Sequence, residues 1–255
     1  MIEGVYSHLL RLYESNQKSL SVLIDPEIYN SEAKLNTLVT YLEASNVDHI
    51  FIGGSLLKDP DINPCVEFLK HRTKIPLVLF PGNGLYLSDA ADAVLFLSLI
   101  SGRNPELLIG QHVTVAAALK QSKIEVIPTG YLLIDGGRPT SVSYLSFTHP
   151  IPQDKPEIAA STAIAGELLG MKLIYLEAGS GALSPVPETM IRKVRKSIDI
   201  PLIVGGGINT VDKAIKALHA GADMIVLGNK IEENPDFIRE VSALLKTYNK
   251  SLNIH

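Results

Sequence analysis

Three short apolar runs, each closed by glycine or a small polar residue, constrain what this chain can fold into more than any other feature. They are KLIYLEAGSGA at 172–182, LIVGGGI at 202–208 and MIVLGN at 224–229. A short continuous apolar run suits a strand covered on both faces, as in a parallel sheet flanked by helices. Glycine at the end of such a strand lets the backbone turn sharply and approach a ligand closely. In a parallel α/β barrel the last two strand ends are the usual phosphate site. Here they carry Gly205, Gly206 and Gly207, then Gly228 and Asn229, so the chain is expected to handle a phosphorylated small molecule.

The same grammar extends to both ends of the chain. Strands are expected at 19–26, 48–55, 76–80, 93–98, 125–134, 173–177, 201–204 and 223–227. Helices are expected at 5–14, 32–45, 63–72, 106–121, 157–169, 187–197, 210–220 and 235–248, most with apolar residues at three- and four-residue spacing. Alternating β and α units imply a parallel sheet, and eight strands favour closure over a doubly wound open sheet. The expected fold is α/β, a (β/α)8 TIM barrel forming one domain over residues 1–255.

One crossover departs from the pattern. Between the third and fourth strands stands PGNGLYLSDAAD at 81–92, where Pro81, Gly82, Asn83 and Gly84 break helix formation and leave too few residues for a crossover helix. The third outer helix is expected to be missing or replaced by an extended segment. Such a gap is either a degenerate connection or an opening that exposes an apolar flank of the sheet. The long segment at 135–154 after the fifth strand is likewise either a wall of the site or a plain surface excursion.

Charge and cysteine usage exclude some partners. A net charge of −4, with both signs spread along the chain, offers no basic stripe for nucleic acid. The single cysteine, Cys65, cannot form an intramolecular disulfide, and the first residues lack a basic segment followed by an apolar core. A cytoplasmic protein is expected. The longest apolar run, 93–100, is too short to cross a bilayer, while a hydrophobic content of 46% leaves room for transient contact with a membrane surface.

Candidate chemistry sits at strand ends. Asp25 closes the first strand, on the face where barrel active sites form, and suits a general base, a Mg²⁺ ligand or an N-cap. Ser55 closes the second strand; a carboxylate plus a hydroxyl make a modest Mg²⁺ site completed by water and phosphate oxygens. Tyr175 and Glu177 lie two positions apart on the sixth strand, so both can face the barrel mouth, Glu177 to remove a proton from a substrate hydroxyl and Tyr175 to orient it. Gly179, Ser180 and Gly181 add close-approaching amides and a hydroxyl. The seven histidines lack metal-ligand spacing, and His112 and Gln111 read as surface or packing residues of their helix. GGGI lacks the GxGxxG spacing of a dinucleotide site, and Lys230 stands beyond the turn that follows the eighth strand. On these residues alone, a sugar-phosphate isomerase or lyase using Asp25 and Glu177, or a silent phosphate-binding scaffold, stays open.

The chain resembles the geranylgeranylglyceryl phosphate synthase family, which includes the bacterial heptaprenylglyceryl phosphate synthases. The resemblance rests on LIDPE at 23–27, FIGGS at 51–55, LFPGN at 79–83, YLEAGSGA at 175–182, VGGGI at 204–208 and LGN at 227–229. It implies a prenyltransferase that joins an isoprenoid diphosphate to the primary hydroxyl of sn-glycerol 1-phosphate through an ether bond. It also implies Mg²⁺ and diphosphate at Asp25 and Ser55, glycerol hydroxyls at Tyr175 and Glu177 with Glu177 as base, and phosphate at Gly179, Ser180, Gly181, Gly206, Gly207, Gly228 and Asn229. The missing third helix becomes the groove for the prenyl chain, with Leu85, Tyr86, Leu99 and Ile100 as candidates for setting its depth. The long fifth-strand loop favours geranylgeranyl over heptaprenyl as donor. A dimer-based homo-oligomer is implied, with the apolar outer helix at 107–119 as a candidate interface.

Overall fold

The computed structural model describes residues 3–54, 61–82 and 86–252. Eight parallel strands close into one barrel in chain order: β1 (Ser19–Ile24), β2 (His49–Ile52), β3 (Leu77–Leu79), β4 (Ala93–Leu99), β5 (Glu125–Leu133), β6 (Leu173–Glu177), β7 (Leu202–Gly205) and β8 (Met224–Leu227). Closure is made by β1 on β8, with Ser19 opposite Met224. Alternation then sorts the side chains. On β6, Leu173, Tyr175 and Glu177 point into the barrel, while Ile174 and Leu176 join the layer between sheet and helices.

The outer ring holds α2 (Glu32–Glu43), α3 (Asn63–Arg72), α4 (Gln111–Gln121), α6 (Pro156–Leu168), α7 (Glu188–Arg195), α8 (Val211–Ala220) and α10 (Asp236–Leu252). The N-terminal α1 (Val5–Glu14) is extra to the repeat. Its Val5 and Leu9 pack with Leu95, Ile127 and Met224 inside the barrel, so α1 plugs the face opposite the strand C-termini. Among the described residues of the β3–β4 connection there is no helix, as expected from its proline and glycines; Asn83, Gly84 and Leu85 lie outside the described residues. No described helix is long and apolar enough to cross a membrane.

Two elements differ from the sequence reading. The helix expected at 106–121 opens with a π-helical turn, Glu106–Gly110, before α4. The 135–154 segment carries a helix beyond those expected, α5 (Ser141–Ser146), held by a reciprocal cap between Thr140 and Ser143, and it bridges back to the barrel through Ile134 and Ile151. A further short helix, α9 (Lys230–Glu233), follows β8.

Candidate active site

A cavity of about 610 Å³ opens at the C-terminal ends of the strands. Its polar lining comes from the loops after β6, β7 and β8, including Ser180, Gly181, Gly206, Gly207, Gly228 and Asn229. Much of its apolar lining comes from β4, the π-helical turn and α5, through Leu97, Leu99, Leu107, Val142 and Leu145, with Leu23, Phe80, Ile208 and Val226 adding to it elsewhere. In an eight-stranded ring β4 stands opposite β8, so the cavity has a phosphate-like side and a hydrocarbon-like side. A ligand matched to both is an amphiphile, or a polar and an apolar molecule held together.

Glu177 sits between them, 6% exposed at the C-terminal end of β6. Burial raises its pKa to about 7, against the opposing pull of the Gly179 amide and the nearby Tyr175 hydroxyl. Oε1 accepts the Gly179 N–H at 2.7 Å, so that amide is turned to the carboxylate and not into the cavity. Gly206, in the left-handed region at φ +78°, lies against the same carboxylate: a Cβ there would run into Oε1 and stand 2.7 Å from Gly179 N. Gly205 is a strand residue beneath Tyr175 and Glu177.

Tyr175 is fully buried, and its pKa is raised well above the ordinary value by burial and by the Glu177 charge. Its hydroxyl lies near Glu177 without a well-aligned hydrogen bond to any described group. A buried hydroxyl without a partner is costly, which makes it a ready donor to a ligand. Beneath it lies an aromatic floor, with Tyr175 5.4 Å from both Phe80 and Tyr131 between ring centres. Tyr131 escaped the sequence reading. It stands opposite Tyr175 in the β5–β6 register, so counting inward positions on paired strands would have found it.

On the other side of the mouth, Asp25 lines the cavity, its Oδ1 accepting the Glu27 N–H at 2.9 Å. Its pKa is raised by burial, then by the Glu27 charge. Glu232 of α9 lines the same cavity, and its pKa is raised by burial and by the charge of Asp25. Two half-buried carboxylates on one cavity wall, one of them burdened by the charge of the other, suit a hard divalent cation. No cluster of three or more His, Cys, Asp or Glu that could hold a metal occurs among the described residues, so an ion at Asp25 would need water or substrate oxygens to complete its shell. Ser55 lies outside the described residues.

The remaining expectations divide. Ser180 Oγ donates to Asn229 Oδ1 at 2.9 Å, joining the β6 and β8 loops into one cradle. His112 is a packing residue as read, buried edge-on to Phe96 at 4.3 Å and 3.3 Å from Ser98 Oγ. Gln111, read with it, instead lines the cavity at the start of α4. Lys230 also reaches the cavity lining, with Nζ donating to Glu233 at 2.9 Å. Of the groove candidates Leu99 lines the cavity, Tyr86 belongs to the outer core, and Leu85 is outside the described residues. Ile100 faces away: its Cδ1 fills the gap left by Gly130 of β5 and Gly166 of α6, the consequence of alternation after Leu99.

Residues 14–247 match the model of the PcrB family. The chain belongs to the PcrB family. A geranylgeranylglyceryl phosphate synthase from Chitinophaga pinensis is 50% identical over 95% of this chain and 96% of its own length. The enzyme of the same name from Spirosoma linguale is 47% identical over 96% of this chain and 98% of its own. The crystal structure of (S)-3-O-geranylgeranylglyceryl phosphate synthase from Thermoplasma acidophilum, in complex with its substrate sn-glycerol-1-phosphate, superposes with a TM-score of 0.89 at 34% identity, covering 97% of this chain and 99% of that one.

Proposed function

We propose that this chain transfers a geranylgeranyl group from its diphosphate to the primary hydroxyl of sn-glycerol 1-phosphate. The observation that carries the reading is a buried carboxylate, Glu177, poised near neutrality between a phosphate cradle and an apolar wall. The Ser180, Gly181, Gly206, Gly207, Gly228 and Asn229 loops hold the phosphate. Tyr175 orients the glycerol, and Glu177 accepts the proton of the attacking hydroxyl as the new C–O bond forms and the allylic C–O bond to diphosphate breaks. Placing both reactants in one cavity supplies much of the rate enhancement through orientation.

Asp25, with Ser55 by family resemblance, would hold Mg²⁺. When bound, the ion neutralises the departing diphosphate. The donor's hydrocarbon chain runs along Leu97, Leu99 and Leu107 toward the β3–β4 connection. The protein works in the cytoplasm as a dimer-based homo-oligomer, for which the exposed Ile109 and Val113 offer an apolar face, and meets membrane surfaces transiently as its product leaves.

The test is incorporation of labelled sn-glycerol 1-phosphate into an organic-soluble product, with Mg²⁺ and farnesyl, geranylgeranyl or heptaprenyl diphosphate offered separately. Product with geranylgeranyl diphosphate, abolished by EDTA and by Asp25→Asn, is expected. Heptaprenyl product instead would correct the donor; no product with any donor would sink the reading.

A further inference from the structure

Arg138 is a cationic side chain that stands against the phosphate loops. It lies in the β5–α5 connection, outside every motif of the sequence reading. That connection is lashed to the β6 loop: Leu183 N and Ser184 N both donate to the Gly136 carbonyl, at 2.9 and 3.1 Å. The preceding Asp135 anchors the turn, its carboxylate accepting Gly137 N at 2.9 Å and its carbonyl accepting Gln153 Nε2 at 2.7 Å. These bonds lay the Arg138 guanidinium directly on Gly181, in the space that a Cβ at position 181 would occupy. Gly181 lines the cavity beside Ser180.

The guanidinium has no acidic counterpart. Arg11, Arg192, Arg195 and Arg239 all pair with carboxylates, whereas Arg138 has none within ion-pair distance among the described residues. An exposed arginine held against a glycine loop keeps its charge and its fork of donors available to an anion. The cavity needs such a charge: its titratable lining includes Asp25, Glu177 and Glu232, with Lys230 already paired to Glu233. A phosphate dianion entering there meets amide dipoles and a surplus of carboxylates.

We propose that Arg138 is the phosphate clamp of this site, swinging from Gly181 onto the phosphate of the acceptor and selecting a phosphorylated glycerol over free glycerol. The acceptor's identity rests on the proposed function; the clamp itself concerns any phosphate monoester in the cradle. Its role is binding and selection, with no part in proton transfer.

The experiment is calorimetric titration of sn-glycerol 1-phosphate and of inorganic phosphate, without prenyl donor, into the wild-type protein, Arg138→Ala and Arg138→Lys. Loss of one charge-assisted contact should weaken both anions about 10- to 100-fold in Arg138→Ala, with part recovered in Arg138→Lys and a shallower salt dependence. In turnover, KM for glycerol phosphate should rise while kcat and KM for the prenyl diphosphate hold, and the melting temperature should be unchanged. Wild-type affinity in Arg138→Ala, or a fall in kcat with anion affinity intact, overturns the clamp alone. Failure of the wild-type protein to bind either anion overturns both the clamp and the assignment of the acceptor.

Discussion

Glu177 and Gly179 are joined by a 2.7 Å hydrogen bond from the Gly179 N–H to the carboxylate Oε1, which makes the candidate base and the start of the phosphate loop one unit. The bond favours the charged carboxylate, yet burial outweighs it and leaves the pKa at about 7 from an ordinary 4.5. The folded protein therefore binds more protons than the unfolded chain between those two values. Stability from this group is fully present below about 4.5 and is lost as pH rises through about 7, a change on the order of 3 kcal/mol. Glu177→Gln should remove that decline, so urea melts at pH 5 and pH 8 should differ less in the variant than in the wild type. Equal differences would mean that Glu177 does not titrate in this range.

The same value sets the activity profile. A base must be ionised to accept the glycerol proton, so kcat/KM for glycerol phosphate should climb about tenfold per pH unit below about 7 and level off above it. Glu177→Gln should lose activity by two orders of magnitude or more at every pH. A profile that is flat from pH 6 to pH 8 in the wild type would remove Glu177 from the proton transfer.

Much of this site could be read from spacing alone. Tyr175 and Glu177 share a face because β6 alternates, and their common orientation survives in the fold. The absence of a helix from the described residues between β3 and β4 was legible because proline and glycine act locally. Tyr131 and Ile100 were not legible in the same way. Tyr131 joins the floor through its register with a strand more than forty residues away, and Ile100 turns outward because β4 runs to Leu99, one residue beyond the expected strand, and alternation carries the next side chain to the other face. Arg138 reaches Gly181 only through loop-to-loop bonds, which no single segment encodes.

Gly206 should tolerate no side chain. Its φ of +78° disfavours any L-residue, and a Cβ would strike Glu177 Oε1 and crowd Ala178 N at 2.8 Å. Gly206→Ala should cost about 2–4 kcal/mol from backbone strain and overpacking together. It should also displace the base, so activity should fall further than the loss of folded protein explains. Thermal melts alongside activity per folded molecule separate the two; a variant that is stable and active would show that the carboxylate has room to move.

Tyr175→Phe separates binding from folding. The hydroxyl it deletes is buried without a well-aligned partner, so the variant should be as stable as the wild type or slightly more so. If the hydroxyl serves the glycerol, KM for glycerol phosphate should rise about tenfold, while inorganic phosphate binds as before. Marked destabilisation would instead place Tyr175 among the structural residues of the aromatic floor.

The leucine wall should measure the donor. Leu107 lies in the π-helical turn and lines the cavity, partly buried, where a larger ring can be accommodated more readily than at the buried Leu99. Leu107→Trp should shorten the apolar path and shift the ratio of kcat/KM for farnesyl over geranylgeranyl diphosphate upward by about tenfold, the scale of one or two methylenes denied burial. KM for glycerol phosphate should not change, because the cradle lies across the barrel mouth. If the variant treats every donor length alike, the prenyl chain leaves the cavity along another wall, and Phe80, Pro81 and Gly82 at the start of the β3–β4 connection become the surface to mutate next.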